Sequence, residues 1–304
     1  MNSYDIIVVG AGAAGLTAAI YSSRRKLSTL VIGKEVGGQA ATTLSIENYP
    51  GIKSTTGPDL MNQFAKQAER FGTDIVSGEI LSISKNDAGF LVRTATDSYQ
   101  TKAVILAFGS QHRHLGIPGE KEFLNKGVVY CATCDAPFFE GKPVAIVGGG
   151  NGALYAATVL LPLASKIYII HRGETLKAEA WLVDKVKQEP KVEIITKANV
   201  KEILGNTFVE KIKIETPEGE RELPVEGIFI AIGHIVDSAF LNGLVELDGS
   251  GQILVDQFGR TSVAGIFAAG DATTIPYKQM VIAAGEGAKA ALSAYDYIQS
   301  KTSS

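Results

Sequence analysis

The stretch Asp5–Arg24, DIIVVGAGAAGLTAAIYSSR, joins an apolar run, a glycine cluster and an alanine-rich segment. This order predicts a buried strand, a turn and a helix. Gly10, Gly12 and Gly15 have the G-x-G-x-x-G spacing, which serves a tight turn, close approach of a pyrophosphate and close helix–strand packing. The helix N-terminus supplies N–H donors for that pyrophosphate. We therefore predict a dinucleotide site here, and Glu35 is the nearest carboxylate for the ribose unless it is only a solvated surface charge.

The same pattern returns at residues 143–161, PVAIVGGGNGALYAATVLL, with Gly148, Gly150 and Ala153 at the corresponding spacing. Each half then continues into a second apolar strand and several short alternating runs. Asn-Asp-Ala-Gly in the first half and Pro-Glu-Gly-Glu in the second mark hairpin turns between those runs. We therefore predict an α/β protein with two Rossmann-like dinucleotide-binding domains, each with a β-meander.

A third piece begins at Gly265, GIFAAGDATTIPYKQMVIAAGEGAKAALSAYDYI, and has no counterpart elsewhere in the chain. It predicts a strand, a Gly-Asp turn and a long helix that complete the first sheet. The second domain would then be inserted in the first, with residues 1–113 and 245–304 in one domain and 114–244 in the other. We expect the final SKTSS to be frayed.

The composition excludes several classes of function. A net charge of −3 argues against a nucleic-acid partner, which normally meets a basic face. No apolar run reaches the roughly 18–20 residues of a membrane span, and the N-terminal YDIIVVG flows directly into the glycine motif instead of forming a signal peptide. We therefore expect a cytoplasmic protein without a membrane partner, in which a close cysteine pair is reactive or metal-binding.

Cys131 and Cys134 are the only cysteines in 304 residues and lie in YCATCDAPFF. A CxxC pair exchanges with a second disulfide through a stabilised thiolate, and Asp135 is placed to protonate the leaving thiolate. A zinc site that includes His112 and His114, or two inert buried cysteines, are the alternatives. Two dinucleotide folds beside the pair favour redox exchange, and we predict no metal.

These motifs together resemble the low-molecular-weight thioredoxin reductases, flavoproteins of the pyridine nucleotide–disulfide oxidoreductase class. The resemblance covers nearly the whole chain and rests on GAGAAGLTAAIY, GGQAATTLSIENYPG, LGIPGE, YCATCDAPFF, GGGNGA, FIAIGH and AAGDATTIPYKQ. It implies an FAD-binding first domain and a nicotinamide-type second domain that carries the CxxC pair. It also implies a homodimer that reduces thioredoxin or a thioredoxin-like redoxin.

The resemblance assigns roles residue by residue. Cys134 would lie beside the flavin, Cys131 would attack the thioredoxin disulfide, and Asp135 would be the acid–base group. The remaining residues would bind cofactors: Gly10, Gly12, Gly15, Glu35, Gly38, Gln39, Asn48, Gly270, Asp271, Lys278 and Gln279 for FAD, and Gly148, Gly150, Ala153, Arg172 and Lys177 for NADPH or NADH. Taken alone, Asn48 could make an Asx turn, Gln39 a loop cap and Asp271 a helix N-cap.

The chain departs from the family pattern in the second glycine region. Tyr155 and Ala156 stand where the family usually has two glutamates. In HRGETLK, Gly173 and Lys177 stand where the family usually has arginines. Because an arginine fork binds phosphate more strongly than the point charge of a lysine, these changes weaken the expected nicotinamide site.

Three electron donors remain open. NADPH could bind through Arg172 and Lys177 with reduced affinity, or NADH could be preferred, with Glu174 accepting from the ribose hydroxyls. Alternatively, the nicotinamide site is vestigial, and reduced ferredoxin or another flavin supplies the electrons. Functions of other classes are a flavin-binding redox sensor, an oxidase and a ferredoxin–NADP reductase-like enzyme, none of which needs the dithiol for turnover.

Overall fold

The computed structural model describes residues 2–302, which form two units. The first unit comprises the described residues up to Gln111 together with those from Ile235 onward, and the second is His112–His234. The chain thus returns to the first unit between residues 234 and 235, whereas the sequence suggested a boundary between 244 and 245. The reason is that Val236 and Leu241 are buried in the apolar core of the first unit, although the GLVELDGSG that follows them is polar.

The N-terminal part of the first unit forms a mostly parallel sheet with two helices. Its elements are β1 (Asn2–Val9), α1 (Ala13–Arg24), β2 (Thr29–Gly33), α2 (Gly57–Arg70), β3 (Thr73–Ser77), β4 (Ile80–Asn86), β5 (Gly89–Thr94) and β6 (Ser98–Leu106). β1 is the central strand because Ile6, Ile7, Val8 and Val9 are buried on both of its faces. β2 and β6 flank β1 in parallel, and β3 pairs with β2. β4, β5 and β6 form the antiparallel meander.

The chain then passes through β7 (Gln111–His112) into the second unit, which again has a parallel sheet and an antiparallel meander. Its parallel sheet has the strand order β11, β10, β9, β15, β8, and its meander is a separate antiparallel sheet of β12, β13 and β14. The elements are β8 (Val128–Val129), α3 (Ala132–Asp135), β9 (Pro143–Val147), α4 (Asn151–Leu160), β10 (Lys166–Ile170), α5 (Ala180–Lys187), β11 (Val192–Ile195), β12 (Asn199–Gly205), β13 (Val209–Thr216), β14 (Gly219–Pro224) and β15 (Gly227–Ile230).

The last segment completes the first sheet, as its strand–turn–helix pattern predicts. After β16 (His234–Ile235), β17 (Ile266–Ala268) pairs in parallel with β6. The long α6 (Met280–Thr302) packs along α1, where its small residues Ala290, Ala291 and Ala294 are buried. Residues 300–302 of the expected frayed end are helical, and Ser303 and Ser304 lie outside the described residues.

The predicted fold class is confirmed: both units are Rossmann-like, and each glycine fingerprint follows the central strand of its sheet. In open parallel sheets, ligands bind beyond the carboxyl ends of the strands, where these loops lie. Within residues 2–302, no helix combines the length and apolarity needed to cross a membrane.

Candidate active site

The first glycine loop connects β1 to α1 and leaves the helix N-terminus open. Gly10 has a φ of 109°, and a side chain there would overlap the backbone of Ala107 at the end of β6. A side chain at Gly15 would overlap the carbonyl of Gly10, so the third glycine sets the close packing of helix and loop. Gly12 is the N-cap residue and has no side-chain cap, and a Cβ added there would meet no atom nearer than 3.8 Å. The amides at the start of α1 are therefore available to a pyrophosphate.

Glu35 follows β2 and lines a cavity of about 240 Å³ together with Gly33, Glu69 and Ser77. Ala11 of the glycine loop lines the same cavity. The carboxylate therefore lies beside the loop, at the side of the sheet where the ribose of a dinucleotide is expected.

The segment after this cavity is a short 3-10 helix, Gly38–Thr42. Gly38 begins it with a φ of 54°. Gln39 donates from Nε2 to the carbonyl oxygen of Ser110, which follows β6. The hydroxyl of Ser110 is buried and has no hydrogen-bond partner within residues 2–302. Because buried polar atoms normally have partners, this hydroxyl is free to bond a water or a bound group.

Two residues predicted from distant motifs meet in the same unit. Asn48 Nδ2 donates to Gln279 Oε1 at 3.3 Å, across a sequence separation of 231. Gly270, with a φ of 73°, approaches Ala14 of α1 so closely that its Cβ would lie 2.9 Å from that of Ala14. The Gly-Asp turn therefore abuts the start of the helix that follows the first glycine loop.

Lys278 and Asp271 form a half-buried pair beside this turn. Burial raises the pKa of Asp271, and the positive charge of Lys278 opposes that shift. Burial lowers the pKa of Lys278, opposed by the charge of Asp271. The ammonium of Lys278 donates to Gln252 Oε1 at 2.8 Å and to the carbonyls of Thr273 at 2.7 Å and Asp271 at 3.2 Å. Since an ammonium has three donors, a bond to a flavin would have to replace one of these.

The first unit offers three features that an FAD could use. These are uncapped amides at the start of α1, a cavity beside Glu35, and a buried Ser110 hydroxyl without a partner in the described residues. Gln252 and Ser110 are contributors that sequence reasoning missed, since neither lies in a recognisable motif.

The second unit carries the cysteine pair as a Cys131–Cys134 disulfide. Cys131 is the N-cap of α3, and its Sγ accepts a hydrogen bond from the Cys134 amide at 3.2 Å. An amide directed at Cys131 Sγ stabilises a thiolate there once the disulfide is reduced. Asp135 ends α3, and burial raises its pKa to about 6, opposed by a hydrogen bond with the backbone of Cys131. A carboxyl with this pKa can carry a proton near neutral pH.

A hydrogen-bonded network around the buried Glu120 carboxylate lies immediately before the cysteines. Tyr130 donates to Glu120 Oε1 at 2.7 Å, and its hydroxyl lies 2.8 Å from His114 Nδ1. The amides of Leu115 and Gly116 also donate to the Glu120 carboxylate. Burial would raise the pKa of Glu120, but these hydrogen bonds hold it below its usual value.

The alternative zinc site gains no support from this geometry. His112 stacks on the ring of Tyr130, and burial, together with His234 and His114, lowers its pKa to about 4. Across residues 2–302, no group of three or more His, Cys, Asp or Glu side chains is arranged to hold a metal ion.

The second glycine loop connects β9 to α4. Gly148 lies against the carbonyl of Ala231 at the end of β15, and its Cβ would lie 3.0 Å from that of Ala153. Ala153 is fully buried, so the third position of the fingerprint packs closely here with an alanine. Gly150 is the N-cap of α4 and has no side-chain cap. This loop, like the first, offers a helix N-terminus to a pyrophosphate.

The two predicted basic residues lie at this loop. Arg172 is exposed just beyond β10, and the Lys177 amide donates to the Gly149 carbonyl at 2.6 Å. The ring of His171 occupies the space between Gly149 and Gly173: a Cβ at Gly173 would lie 2.6 Å from His171 Nε2. An arginine at position 173 would therefore require His171 to move.

Four residues near this loop form an arrangement that the sequence did not reveal. Asn151 Nδ2 donates to Glu179 Oε1 at 3.2 Å, and the Glu179 amide donates to Asn151 Oδ1 at 2.9 Å. Trp181 Nε1 donates to Glu179 Oε2 at 2.5 Å. The rings of Tyr155 and Trp181 are 6.3 Å apart, edge to face. Trp181 is the only tryptophan in the chain, which is the one signal that could have singled it out.

Several known proteins resemble this chain in sequence and fold. The family described as pyridine nucleotide-disulphide oxidoreductase matches residues 4–290. The chain is 42% identical to a thioredoxin reductase of Treponema pallidum over 98% of both chains. It is 41% identical to a component of the alkyl hydroperoxide reductase of Pseudomonas putida over 98% of this chain, but it spans only 58% of the length of that relative. Its fold matches a thioredoxin reductase from Giardia duodenalis with a TM-score of 0.94 and 38% identity, covering 98% of this chain and 100% of that one.

Proposed function

Because this chain belongs to the pyridine nucleotide-disulphide oxidoreductase family, we propose that it is a flavin-dependent disulfide reductase acting on thioredoxin or a thioredoxin-like redoxin. The observation that carries this proposal is the Cys131–Cys134 disulfide, with the Cys134 amide directed at Cys131 Sγ and the Asp135 carboxyl in the same short helix. The full-length similarity to thioredoxin reductases supports the choice of substrate.

The first unit holds FAD in this proposal. Gly10, Gly12 and Gly15 admit the pyrophosphate, and Glu35 lies at the ribose. The predicted contacts to the rest of the cofactor are Gly38, Gln39, Asn48, Gly270, Asp271, Lys278 and Gln279, supported by their convergence in one unit. Bound FAD supplies the two electrons that reduce the Cys131–Cys134 disulfide.

The reduced cysteines then act by thiol–disulfide exchange. The Cys131 thiolate attacks one sulfur of the partner disulfide, forming a mixed disulfide and releasing a partner thiolate. Asp135, protonated through its raised pKa, gives its proton to that thiolate. The ionised Asp135 then takes the proton of the Cys134 thiol, and the Cys134 thiolate attacks Cys131 Sγ. The Cys131–Cys134 disulfide re-forms, and the second partner sulfur leaves as a thiolate that receives this proton from Asp135. The partner gains two electrons and two protons.

The second unit takes a nicotinamide coenzyme, NADPH or NADH, in this proposal. Gly148, Gly150 and Ala153 admit its pyrophosphate, and the exposed Arg172 and Lys177 supply positive charge. One observation favours ferredoxin or another flavin as the donor instead: Gly173 and Lys177 stand where the family usually has arginines, so the positive charge at this loop is weaker.

Anaerobic mixing separates the donors. Prompt bleaching of the flavin absorbance by NADPH or NADH supports the nicotinamide donor. Bleaching by reduced ferredoxin alone supports the alternative.

We also propose that the protein works as a homodimer in the cytoplasm. The support is the family resemblance, together with the expectation that a dithiol carrier works where thiols stay reduced. Sedimentation of the holoprotein over a range of concentrations tests the dimer.

The exchange step is tested with the holoprotein reduced anaerobically by dithionite and then freed of excess reductant. When this reduced protein is mixed with oxidised thioredoxin, two thioredoxin thiols should appear each time a Cys131–Cys134 disulfide re-forms. Cys134→Ser should trap a mixed disulfide through Cys131, detectable by mass spectrometry, and Cys131→Ser should not. Full reductase activity in both serine variants would refute the proposed function.

A further inference from the structure

The second unit exposes an aromatic pair beside its glycine loop. Tyr155 and Trp181 are 51% and 52% exposed, although their rings contact each other edge to face. Tyr155 lies one turn after Asn151 on α4, and residues four apart share a helix face. Because a helical side chain leans toward the helix N-terminus, the Tyr155 ring lies toward the end of α4 where a pyrophosphate is expected.

Hydrogen bonds hold the Trp181 ring of this pair in place. The indole N–H of Trp181 donates to Glu179, whose carboxylate and amide are both bonded to Asn151. Asn151 directly follows Gly150, the N-cap of the same helix. The tryptophan is therefore tied to the glycine loop by two successive hydrogen-bonded contacts. A ring fixed before binding loses little rotamer freedom when a ligand stacks on it.

The charged part of this site is weak by comparison. Gly173 contributes no side chain, and the Lys177 ammonium offers a point charge. Glu174 lies at the same strand end and pairs with Lys197 at 2.6 Å, which neutralises one further cation. Binding that relies on phosphate contacts alone would therefore rest largely on Arg172 and Lys177.

We propose that Tyr155 and Trp181 form a stacking platform for a heteroaromatic ring of the nicotinamide dinucleotide. This inference rests on the proposed nicotinamide binding by the second unit. Aromatic faces attract planar bases, and the oxidised nicotinamide ring is in addition a cation that aromatic side chains favour. Stacking does not involve the ribose 2′-phosphate. The pair therefore strengthens binding of NAD⁺ and NADP⁺ alike, and salt screens its contribution little.

The test uses the fluorescence of Trp181, the only tryptophan. The oxidised holoprotein is titrated with NAD⁺ and NADP⁺, so that no turnover contributes to the signal. Both should quench Trp181. Tyr155→Ala should weaken both affinities roughly 5- to 150-fold, the range for removing one stacked aromatic. Tyr155→Phe should retain them, and Phe208→Ala, which removes an exposed aromatic from the β12–β13 hairpin, is the matched control.

Two fragments identify the stacked ring. Quenching by nicotinamide mononucleotide assigns the nicotinamide end, and quenching by ADP-ribose assigns the adenine end; either supports the platform. Absence of quenching by both coenzymes, or unchanged affinities in Tyr155→Ala, would overturn it. The titration does not involve the Cys131–Cys134 dithiol, so its result is independent of thioredoxin reduction. Protein that binds no coenzyme could still reduce thioredoxin after reduction by dithionite.

Discussion

Replacing Asp135 by asparagine should stabilise the second unit at high pH and leave the low-pH stability nearly unchanged. The pKa of this carboxyl is about 6 in the folded protein, against its ordinary value of 3.8, because burial penalises the charge. Well below pH 3.8 the group is protonated in both the folded and unfolded states, and its burial then has no charge cost. Above pH 6 the folded state must hold the charge, at a cost of about 3 kcal/mol at most. The asparagine side chain carries no charge, so that loss is absent from the variant.

The assay is urea unfolding followed by the fluorescence of Trp181, which reports on the second unit. Wild type and Asp135→Asn are compared between pH 4 and pH 8, at fixed protein and FAD concentrations, because ligand binding shifts apparent stability. The unfolding free energy of Asp135→Asn minus that of the wild type should rise by about 2–3 kcal/mol between pH 4 and pH 8. The substitution also alters hydrogen bonding, but this shifts the difference in unfolding free energy equally at every pH. The part of the difference that changes with pH therefore measures the cost of the buried charge.

A pH-independent difference between the two proteins would refute this reasoning. Asp184→Asn, at an exposed position on α5, is the matched control and should show no comparable pH dependence. The same raised pKa has a functional counterpart. Release of the partner thiolate should slow in the wild type as the pH rises through about 6. In Asp135→Asn, release should be slow at every pH.

Three further substitutions test other parts of the structure. Gly10→Ala should abolish FAD retention, because a Cβ there overlaps the end of β6; the ratio of flavin to protein absorbance measures this. Glu120→Gln should destabilise the second unit by about 1–3 kcal/mol, measured by urea unfolding, because it disrupts a buried acceptor of the Tyr130 hydroxyl. Gly173→Arg should improve NADPH binding less by itself than together with His171→Ala, because the His171 ring occupies the space beside it; equal Kd values by calorimetry would contradict this.

The fold could be predicted from the sequence because its signals are local. The strand–glycine–helix pattern recurs twice within short stretches, and the turns Asn86–Gly89 and Thr216–Gly219 separate the meander strands where the sequence places them. The second domain crossing was harder to place. Residues 235–244 join the first unit through buried Val236 and Leu241, and burial against a distant core leaves no local signal.

Motifs in the sequence could indicate which residues are candidates for the site, but not which of these residues contact each other. The meeting of Asn48 with Gln279, across a sequence separation of 231, follows from the return of the chain to the first unit and not from either motif alone. The partners of Lys278 and the unpaired hydroxyl of Ser110 depend on side-chain placement, which no spacing encodes. For Glu120 and Tyr130, the motifs supplied the residue types but not the hydrogen bond between them.

The contrast within the second glycine loop shows what such a fingerprint reports. Gly148 is fixed by the backbone of Ala231, which it approaches closely, and the buried Ala153 packs against Gly148. Tyr155 is half exposed, and the nearest atoms that a side chain at position 173 would meet belong to the His171 ring, so no such backbone contact fixes either residue type. The fingerprint is therefore strong evidence for the fold of the second unit and weak evidence for its coenzyme. If stacking on Tyr155 has replaced part of the phosphate binding, the residues at positions 155 and 173 determine which coenzyme the second unit binds. The glycines of the loop do not determine it.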